Sequence, residues 1–438
     1  MMRWVLGTAI LLALSFAFGL GLMTYAMYAL VAVMLGSRVL VRYWLRHLSA
    51  TRHVSQVDAE EGDVITVALT VRYSGAIPMP WILVEDLLPR HAVITRPAAL
   101  EVEGKRIFLA MLWPRATKLL TYRIQCNRRG YYQIGPAVLE TGDVFGLYKQ
   151  FKMIAEPEFI TVEPAIIPLE GFDLVSKRPL GEIKMQSRLF EDPSRIAGIR
   201  RYQLGDPLNR IHWASTARTG QLHSKQYEAT CIAGVSIILD LHPDSFPEKN
   251  EPIRSELAIK CAVAIANSVH LMDQQVGIFT NSVDAAQRMK YEGWDFDART
   301  RDAARKSAGR IDRDPRLSPQ KVRTKRGAHQ FQQIRHMMAR SEKNEGLTLP
   351  SLLLEIESDL PRDATVVPIL SKVTPEVAMA LGNLVRGGYA VTPIVNCWDE
   401  YEFAQAAGML LAERMLAKQL KSLDTISQIC QEQAYPLF

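Results

Sequence analysis

The chain is poor in the residues that most often announce chemistry. Its 438 residues hold five cysteines, Cys126, Cys231, Cys261, Cys397 and Cys430. They are scattered, with no C-x-x-C pair and no zinc-ligand spacing. That excludes a zinc ribbon and a disulfide-stapled framework and fits free thiols in a reducing compartment. No G-x-S-x-G, H-E-x-x-H or P-loop pattern occurs, so the enzyme classes those motifs mark are excluded. His212, Ser215 and Thr216 lie close in sequence, but their spacing does not show a base addressing a nucleophile. The net charge of +6 is small for this length and does not argue for a nucleic-acid partner.

Charge is missing altogether from Trp4 to Leu35. One spanning helix needs about 20 apolar residues. This run is long for one span and short for two, and Gly19 and Gly21 fall near its middle. The reading favours a hairpin of two short or tilted helices, Trp4–Gly19 and Met23–Tyr43, within a membrane anchor over 1–46. A cleaved signal peptide would have a shorter apolar core of about 7–15 residues. Arg38, Arg42 and Arg46 follow directly, and the positive-inside rule holds that end in the cytoplasm. The expected location is therefore the cytoplasmic (inner) membrane, with the rest of the chain in the cytoplasm.

What is present after the anchor divides in three. Over 54–168, short alternating runs such as VITVALTVRY, ILVEDLLP and KLLTYRIQC are separated by turn-formers, which predicts an antiparallel β-sandwich. Residues 169–231 read as a connector. From 232 to 438 the rhythm is that of a doubly wound α/β domain. GVSIILDL (234–241) is a strand buried on both faces. Further strands are VGIFTNS, TVVPILS and YAVTPIVN, with helices between them and a last helix over Tyr401–Gln431. Residues 287–330 interrupt this domain with Arg and Lys from Arg288 to Arg326. They read as a solvated excursion, or as a basic arm for anionic lipid headgroups or an acidic partner. Its aromatic residues, Tyr291, Trp294 and Phe296, sit together at one end and are not interleaved with the cations as base stacking along a strand needs.

In open α/β sheets ligands bind at the carboxyl ends of parallel strands. The first such strand ends in Asp240-Leu241-His242-Pro243-Asp244. This loop resembles the metal-ion-dependent adhesion site of von Willebrand factor A domains, D-x-S-x-S, with Asp240 matching and His242 and Asp244 in the serine positions. Asp and His can hold a divalent cation. Lys372, at the end of TVVPILS, stands where that family offers an acid. The expectation is a degenerate, metal-free loop in which the Lys372 ammonium pairs with Asp240, with a divalent cation at Asp240 and Asp244 as the alternative.

The most informative stretch is Ile199 to Glu228, IRRYQLGDPLNRIHWASTARTGQLHSKQYE. Arg200, Tyr202, Gly205, Asp206, Arg210, Ile211, Trp213, Ala217, Arg218 and Leu222 resemble, in order and spacing, the signature of the bacterial family called domain of unknown function 58. Glu228 sits where that family tends to carry an acid. Arg129, Gly130, Gly135, Pro136, Asp143, Phe145, Gly146 and Leu147 resemble a second element of the same family. The resemblance implies a membrane hairpin, a β-sandwich and a von Willebrand factor A-like domain. It also implies association with a MoxR-type AAA+ ATPase and neighbourhood with transglutaminase-like proteins, and it names no reaction. Within the signature, Asp206 before Pro207 suits a turn. Trp213 offers an apolar face for packing the connector onto the α/β domain. The segment reads as a clamp between domains or as a docking surface. The leading expectation is a membrane-anchored scaffold or adaptor without enzymatic activity. A metal-dependent binding module comes second. A hydrolase of cell-envelope material comes third, for want of a nucleophile–base pair.

Overall fold

The computed structural model describes residues 10, 13, 21–94, 97–146, 148–169, 191–202, 211–229, 234–247, 251–292, 317–362 and 364–429. The chain divides into two units. Unit 1 is Met1–Ala165, Asp284–Arg313 and His336–Ser341; unit 2 is Ile166–Val283, Asp314–Arg335 and Glu342–Phe438.

Unit 1 opens with helix α1 (Gly21–Arg46). Its Thr24–Arg46 portion is long and apolar enough to cross a membrane. The first expected span, Trp4–Gly19, lies outside the described residues apart from Ile10 and Ala13. The second was expected over Met23–Tyr43, yet the last turns of α1 belong to a protein core. Val41, Trp44 and Leu45 are buried with Leu69, Val71, Tyr73, Ile82 and Leu139 of the sandwich. The Ser37 hydroxyl donates to the buried Asp143 carboxylate at 3.1 Å. Helical periodicity explains the double character: residues 37, 41, 44 and 45 face the sheets, while Arg38, Arg42 and Arg46, spaced by four, form an exposed stripe on another face.

Eleven strands follow: β1 (Leu48–Val54), β2 (Asp58–Glu60), β3 (Val64–Tyr73), β4 (Met79–Asp86), β5 (Leu100–Gly104), β6 (Ile107–Leu112), β7 (Thr117–Cys126), β8 (Gly130–Ile134), β9 (Ala137–Gly142), β10 (Lys149–Ala155) and β11 (Glu158–Glu163). They form sheets in the orders β1-β3-β7-β5, β10-β9-β4-β6 and β2-β11-β8. The expected antiparallel pairing holds everywhere except between β11 and β2, which are parallel. In β3 burial alternates residue by residue, so Ile65, Val67, Leu69, Val71 and Tyr73 all point inward.

One inward set is charged. Arg52 and Asp86 form an ion pair with no exposed side-chain surface on either partner. Arg52 Nε donates to Asp86 Oδ2 at 3.1 Å, the Tyr122 hydroxyl donates to the same oxygen at 2.9 Å, and Arg52 Nη1 donates to the Glu156 carbonyl at 2.6 Å. Gly135, at φ +89, lies against the guanidinium, where a Cβ would collide with Arg52 Nη2. The Gly135-Pro136 step of the sequence motif thus makes room for a buried arginine.

Burial, with Asp63 nearby, pushes the Cys126 thiol in the same sandwich up to about 12. Between the ordinary thiol range and that value the unfolded chain holds fewer protons than the folded one. Stability is therefore full below the ordinary range and falls as pH rises, by up to about 1.4 kcal/mol per pH unit for one group. Melting of the full chain in detergent over about pH 8 to 11 should show this fall, and Cys126→Val should flatten it. Equal slopes in the two proteins would contradict it.

Unit 2 begins, in its described part, with the hairpin β12 (Glu191–Arg201) and β13 (His223–Ala229), with α3 (Trp213–Thr219) inside the connection. Then come β14 (Gly234–Leu239), α4 (Ile253–Leu271) and β15 (Gln275–Thr280). The two-residue strands β16 (Val283–Asp284) and β18 (Ser341–Glu342) pair with each other, and between them in sequence lie α5 (Ala285–Glu292), which belongs to unit 1, β17 (Gln320–Lys325) and α6 (Ala328–Arg340), whose end from His336 belongs to unit 1. The chain ends with α7 (Leu349–Ile356), β19 (Ala364–Leu370), α8 (Pro375–Arg386), β20 (Ala390–Val391), β21 (Ile394–Asn396), α9 (Glu400–Ala412), β22 (Lys418–Leu420) and α10 (Leu423–Gln428). The main sheet runs β17-β15-β14-β19-β21-β22. All its neighbours are parallel except the edge strand β17, which is antiparallel to β15. Every residue of β14 is buried, as its unbroken apolar run predicts.

Two expectations fail here. The basic stretch 287–330 is not a single excursion. It begins inside α5, and its far end supplies β17 and the start of α6, while residues 293–316 lie outside the described residues. Composition hid an alternation: in β17, Lys321, Arg323 and Lys325 face solvent between half-buried neighbours. Asp359 takes Lys321 at 2.7 Å and Arg323 at 2.9 Å, and lysines on an edge strand discourage further pairing. The last helix, expected over Tyr401–Gln431, is also interrupted. The chain breaks at Arg414, φ +64, and Lys418–Leu420 adds a parallel strand beside β21. Sheet pairing overrides a weak helical preference.

Candidate functional site

Strand order in unit 2 reverses between β14 and β19, so the carboxyl ends of these strands define its switch point. Asp240 follows β14 there and is buried. Its Oδ1 accepts from the His242 backbone N–H at 3.1 Å and from Asn281 Nδ2 at 2.8 Å. Its Oδ2 accepts from the Ser245 hydroxyl at 2.6 Å. Asn281 closes the loop further, accepting from Leu241 N–H at 2.7 Å and donating to the Leu347 carbonyl at 3.0 Å. The His242 ring caps the short turn Pro243–Ser245 by accepting from Asp244 N–H. The Asp244 carboxylate is 89% exposed.

This corrects the expected salt bridge. Lys372 is exposed, and the Asp240 carboxylate is held instead by three uncharged donors. A hard metal ion needs free carboxylate lone pairs and several oxygens converging on it. Here N–H and O–H groups occupy the Asp240 oxygens and Asp244 faces away into solvent. Among the described residues no three His, Cys, Asp or Glu side chains gather as a metal set.

Arg254, at the start of α4, was not singled out by sequence reasoning. It is buried and ties the ends of two strands together, donating to the Ser371 carbonyl at 3.2 Å and to that of Asn396. Asn396 returns a bond to the Arg254 carbonyl at 2.7 Å. Close by, burial and then a hydrogen bond to Glu402 push the Cys397 thiol up. Such a thiol is not an activated nucleophile.

The signature segment is a separate surface of unit 2. Ile211 bridges Ser224, and Tyr202 N–H donates to the Leu222 carbonyl at 2.9 Å. His212 Nδ1 accepts from Ser215 N–H at 3.1 Å, so the ring serves as the N-cap of α3. Gly220, at φ +68, ends the helix in the left-handed conformation. Arg200 lies on β12, and Arg218 is exposed on α3. Gly205, Asp206 and Arg210 lie outside the described residues, as does the Glu228 side chain, whose backbone is part of β13. Trp213 does not pack onto the α/β sheet as expected: it is 68% exposed, with Ile199 at 44% and Leu222 at 45%. The segment therefore offers solvent three apolar side chains among arginines.

In unit 1 three residues of the second motif, Arg129, Gly135 and Asp143, have a structural use. Arg129 is buried and its Nη1 donates to the carbonyls of Met338 at 2.5 Å, Ala339 at 3.3 Å and Ser341 at 3.0 Å. It thereby closes the C-terminus of α6, where carbonyls lack partners within the helix. Asp143 holds Ser37 and accepts from Tyr148 N–H at 2.7 Å. Leu147 lies outside the described residues.

The chain is thus an apolar helix leading into a β-rich unit, followed by an α/β unit with a closed switch-point loop and an exposed hairpin. The model of a family described as "Protein of unknown function DUF58" matches residues 198–291, from the hairpin through α5. An uncharacterised protein, YeaD of Bacillus subtilis (strain 168), is 24% identical over 227 residues. That alignment covers 51% of this chain and 56% of YeaD. Among solved structures, the CARDB domain of the PF1109 protein from Pyrococcus furiosus aligns with 26% of this chain and 91% of its own, at 13% identity and TM-score 0.18. The sporulation control protein Spo0M from Bacillus subtilis aligns with 26% of this chain and 49% of its own, at 10% identity and TM-score 0.16. Scores this low say nothing about activity.

Proposed function

We propose that the chain is a membrane-anchored scaffold or adaptor, facing the cytoplasm, that presents a von Willebrand factor A-like module to a MoxR-type AAA+ ATPase. The observation that carries this reading is Trp213, 68% exposed at the start of α3 with the exposed Arg218 on the same helix, set in the segment the family model matches. Exposed aromatic and Arg side chains are the usual anchors of protein interfaces. The module assignment is supported by the strand order and antiparallel edge strand of unit 2. Cytoplasmic placement is supported by Arg38, Arg42 and Arg46 at the end of the apolar helix.

Pull-down of the detergent-solubilised full chain with an ATPase encoded beside it, with and without nucleotide, tests the reading. Trp213→Ala should weaken capture at least tenfold, about 1.4 kcal/mol, while changing stability by no more than about 0.5 kcal/mol. Absence of capture in both nucleotide states would sink the proposal.

The metal-dependent alternative has a separate test. Ligand binding to the native state must raise stability, so Mg²⁺ or Mn²⁺ titration should leave the melting temperature unchanged. Asp240→Ala strands the Asn281 and Ser245 donors and should cost about 1–3 kcal/mol, equally with and without metal. A metal-dependent rise in the parent chain that is lost on Asp240→Ala would restore the alternative.

A further inference from the structure

Where α1 leaves its apolar portion, unit 1 has an open pocket of about 330 Å³ lined by Arg42, Leu45, Arg46, Gln150, Phe151 and Lys152. Such a volume is at the small end of ligand sites. Three of its six lining residues are cations. Arg42 and Arg46 are four apart on one face of α1 and are exposed, and neither meets a carboxylate among the described residues. The Lys152 ammonium is pinned, donating to the carbonyls of Leu45 at 2.7 Å and Leu48 at 3.3 Å. The nearby acids are already engaged: Asp143 by Ser37 and Tyr148, Glu140 by Lys149 at 3.6 Å. The C-terminus of a helix contributes roughly half a negative charge, which three full positive charges outweigh. The lining of the pocket therefore carries net positive charge.

Its height along α1 says which anion. Among the described side chains Ser37 is the first buried residue of the helix, and the charge-free run ends beside it at Arg38. Arg42 lies about 8 Å further on, at 1.5 Å per residue. The headgroup layer extends about 5–8 Å beyond the hydrocarbon, which puts Arg42 at its outer edge, while Arg46 stands about one turn further out with its Cα–Cβ bond tilted back toward the membrane end of α1. A second feature agrees. The loop that Asp143 ties to Ser37 exposes Val144 and Phe145, at 73% and 71%. Apolar tips at the start of the helix's buried turns suit insertion among acyl chains. Phe151 and Leu45 give the pocket an apolar side beside its cations.

We propose that this pocket binds the phosphate headgroup of an anionic phospholipid and so fixes the height and tilt of unit 1 on the membrane. The proposal rests on the anchored reading above. The full chain in uncharged detergent is titrated with dihexanoyl phosphatidylglycerol, dihexanoyl phosphatidylcholine and inorganic phosphate by calorimetry. Phosphatidylglycerol should bind at least tenfold more tightly than either of the others. In R42Q/R46Q, whose substituted side chains hold no hydrogen bond or ion pair among the described residues, that affinity should fall about thirtyfold, the product of two charges near a headgroup. Equal binding of phosphatidylcholine, or an unchanged R42Q/R46Q, overturns the site. Inorganic phosphate binding as tightly as phosphatidylglycerol overturns its assignment to lipid. The preference of the parent chain decides the matter even where the variant fails to fold. Anchoring is read independently, by whether alkaline carbonate releases the chain from membranes; release overturns the anchored reading and leaves the titration to judge the pocket.

Discussion

Arg52→Ala is expected to lower the stability of the chain by about 3–5 kcal/mol, because it leaves the Asp86 carboxylate in the sandwich interior without its counter-charge. That is a large share of the roughly 5–15 kcal/mol that holds a typical domain together. The Tyr122 hydroxyl remains as a donor to Asp86, but one charge-assisted hydrogen bond of about 1.5–3 kcal/mol does not offset the desolvation of a carboxylate. The pair itself is a different matter. Replacing both partners, Arg52→Met with Asp86→Leu, removes both charges and should restore stability to within about 1–2 kcal/mol of the parent. A double-mutant cycle in urea, followed by circular dichroism, separates the two statements. A single-variant loss below about 1 kcal/mol would show that the carboxylate finds water or another donor. Position 135 reports on the same network: Gly135→Ala must push the guanidinium aside and hold a positive φ.

Trp44→Ala should cost a similar amount, about 3–5 kcal/mol, as expected for a large aromatic truncated in a packed core. Trp44 belongs to α1 yet is buried with Leu69, Val71, Tyr73 and Ile82 of the sandwich. The last turns of the apolar helix are therefore part of the sandwich core. A chain beginning at Leu48 would expose the surface that Val41, Trp44 and Leu45 cover and should aggregate or unfold. One beginning at Gly36 keeps those contacts and the Ser37–Asp143 bond and should fold. Urea midpoints of the two truncated chains, and of Trp44→Ala in the full chain, check this. Equal midpoints for the two truncations would mean that α1 rests on the sandwich without stabilising it.

Much of this architecture is legible in the residues. Alternation over VITVALTVRY and the unbroken run GVSIILDL each assign a strand and its burial, because side-chain direction has a period of two and a doubly covered strand has no polar face. The switch-point rule placed Asp240 correctly. Its partners were another matter. Lys372 was expected from sequence and Asn281 was missed, although Asn281 is the first polar residue after the adjacent strand. The buried ion pair had a signal too. In MPWILVED, Ile82, Val84 and Asp86 share one face, so a carboxylate on a core face should have prompted a search for its cation. Arg52 could not be chosen from the sequence, because strands β1 and β4 meet only in the fold.

The sequence by itself determined the order of parts: an apolar helix with arginines at its end, alternating strands, a polar connector and an α/β rhythm. Those follow from local periodicity, which needs no distant partner. Tertiary structure decided which charges are spent on the fold and which are left over. It spent Arg52, Asp86, Arg129, Asp240 and Arg254 on internal bonds, since a buried polar group must be paired. It left Arg42 and Arg46 beside an empty pocket and Trp213 in solvent. Whether a side chain has partners depends on segments far away in the chain, and that is what periodicity cannot reach.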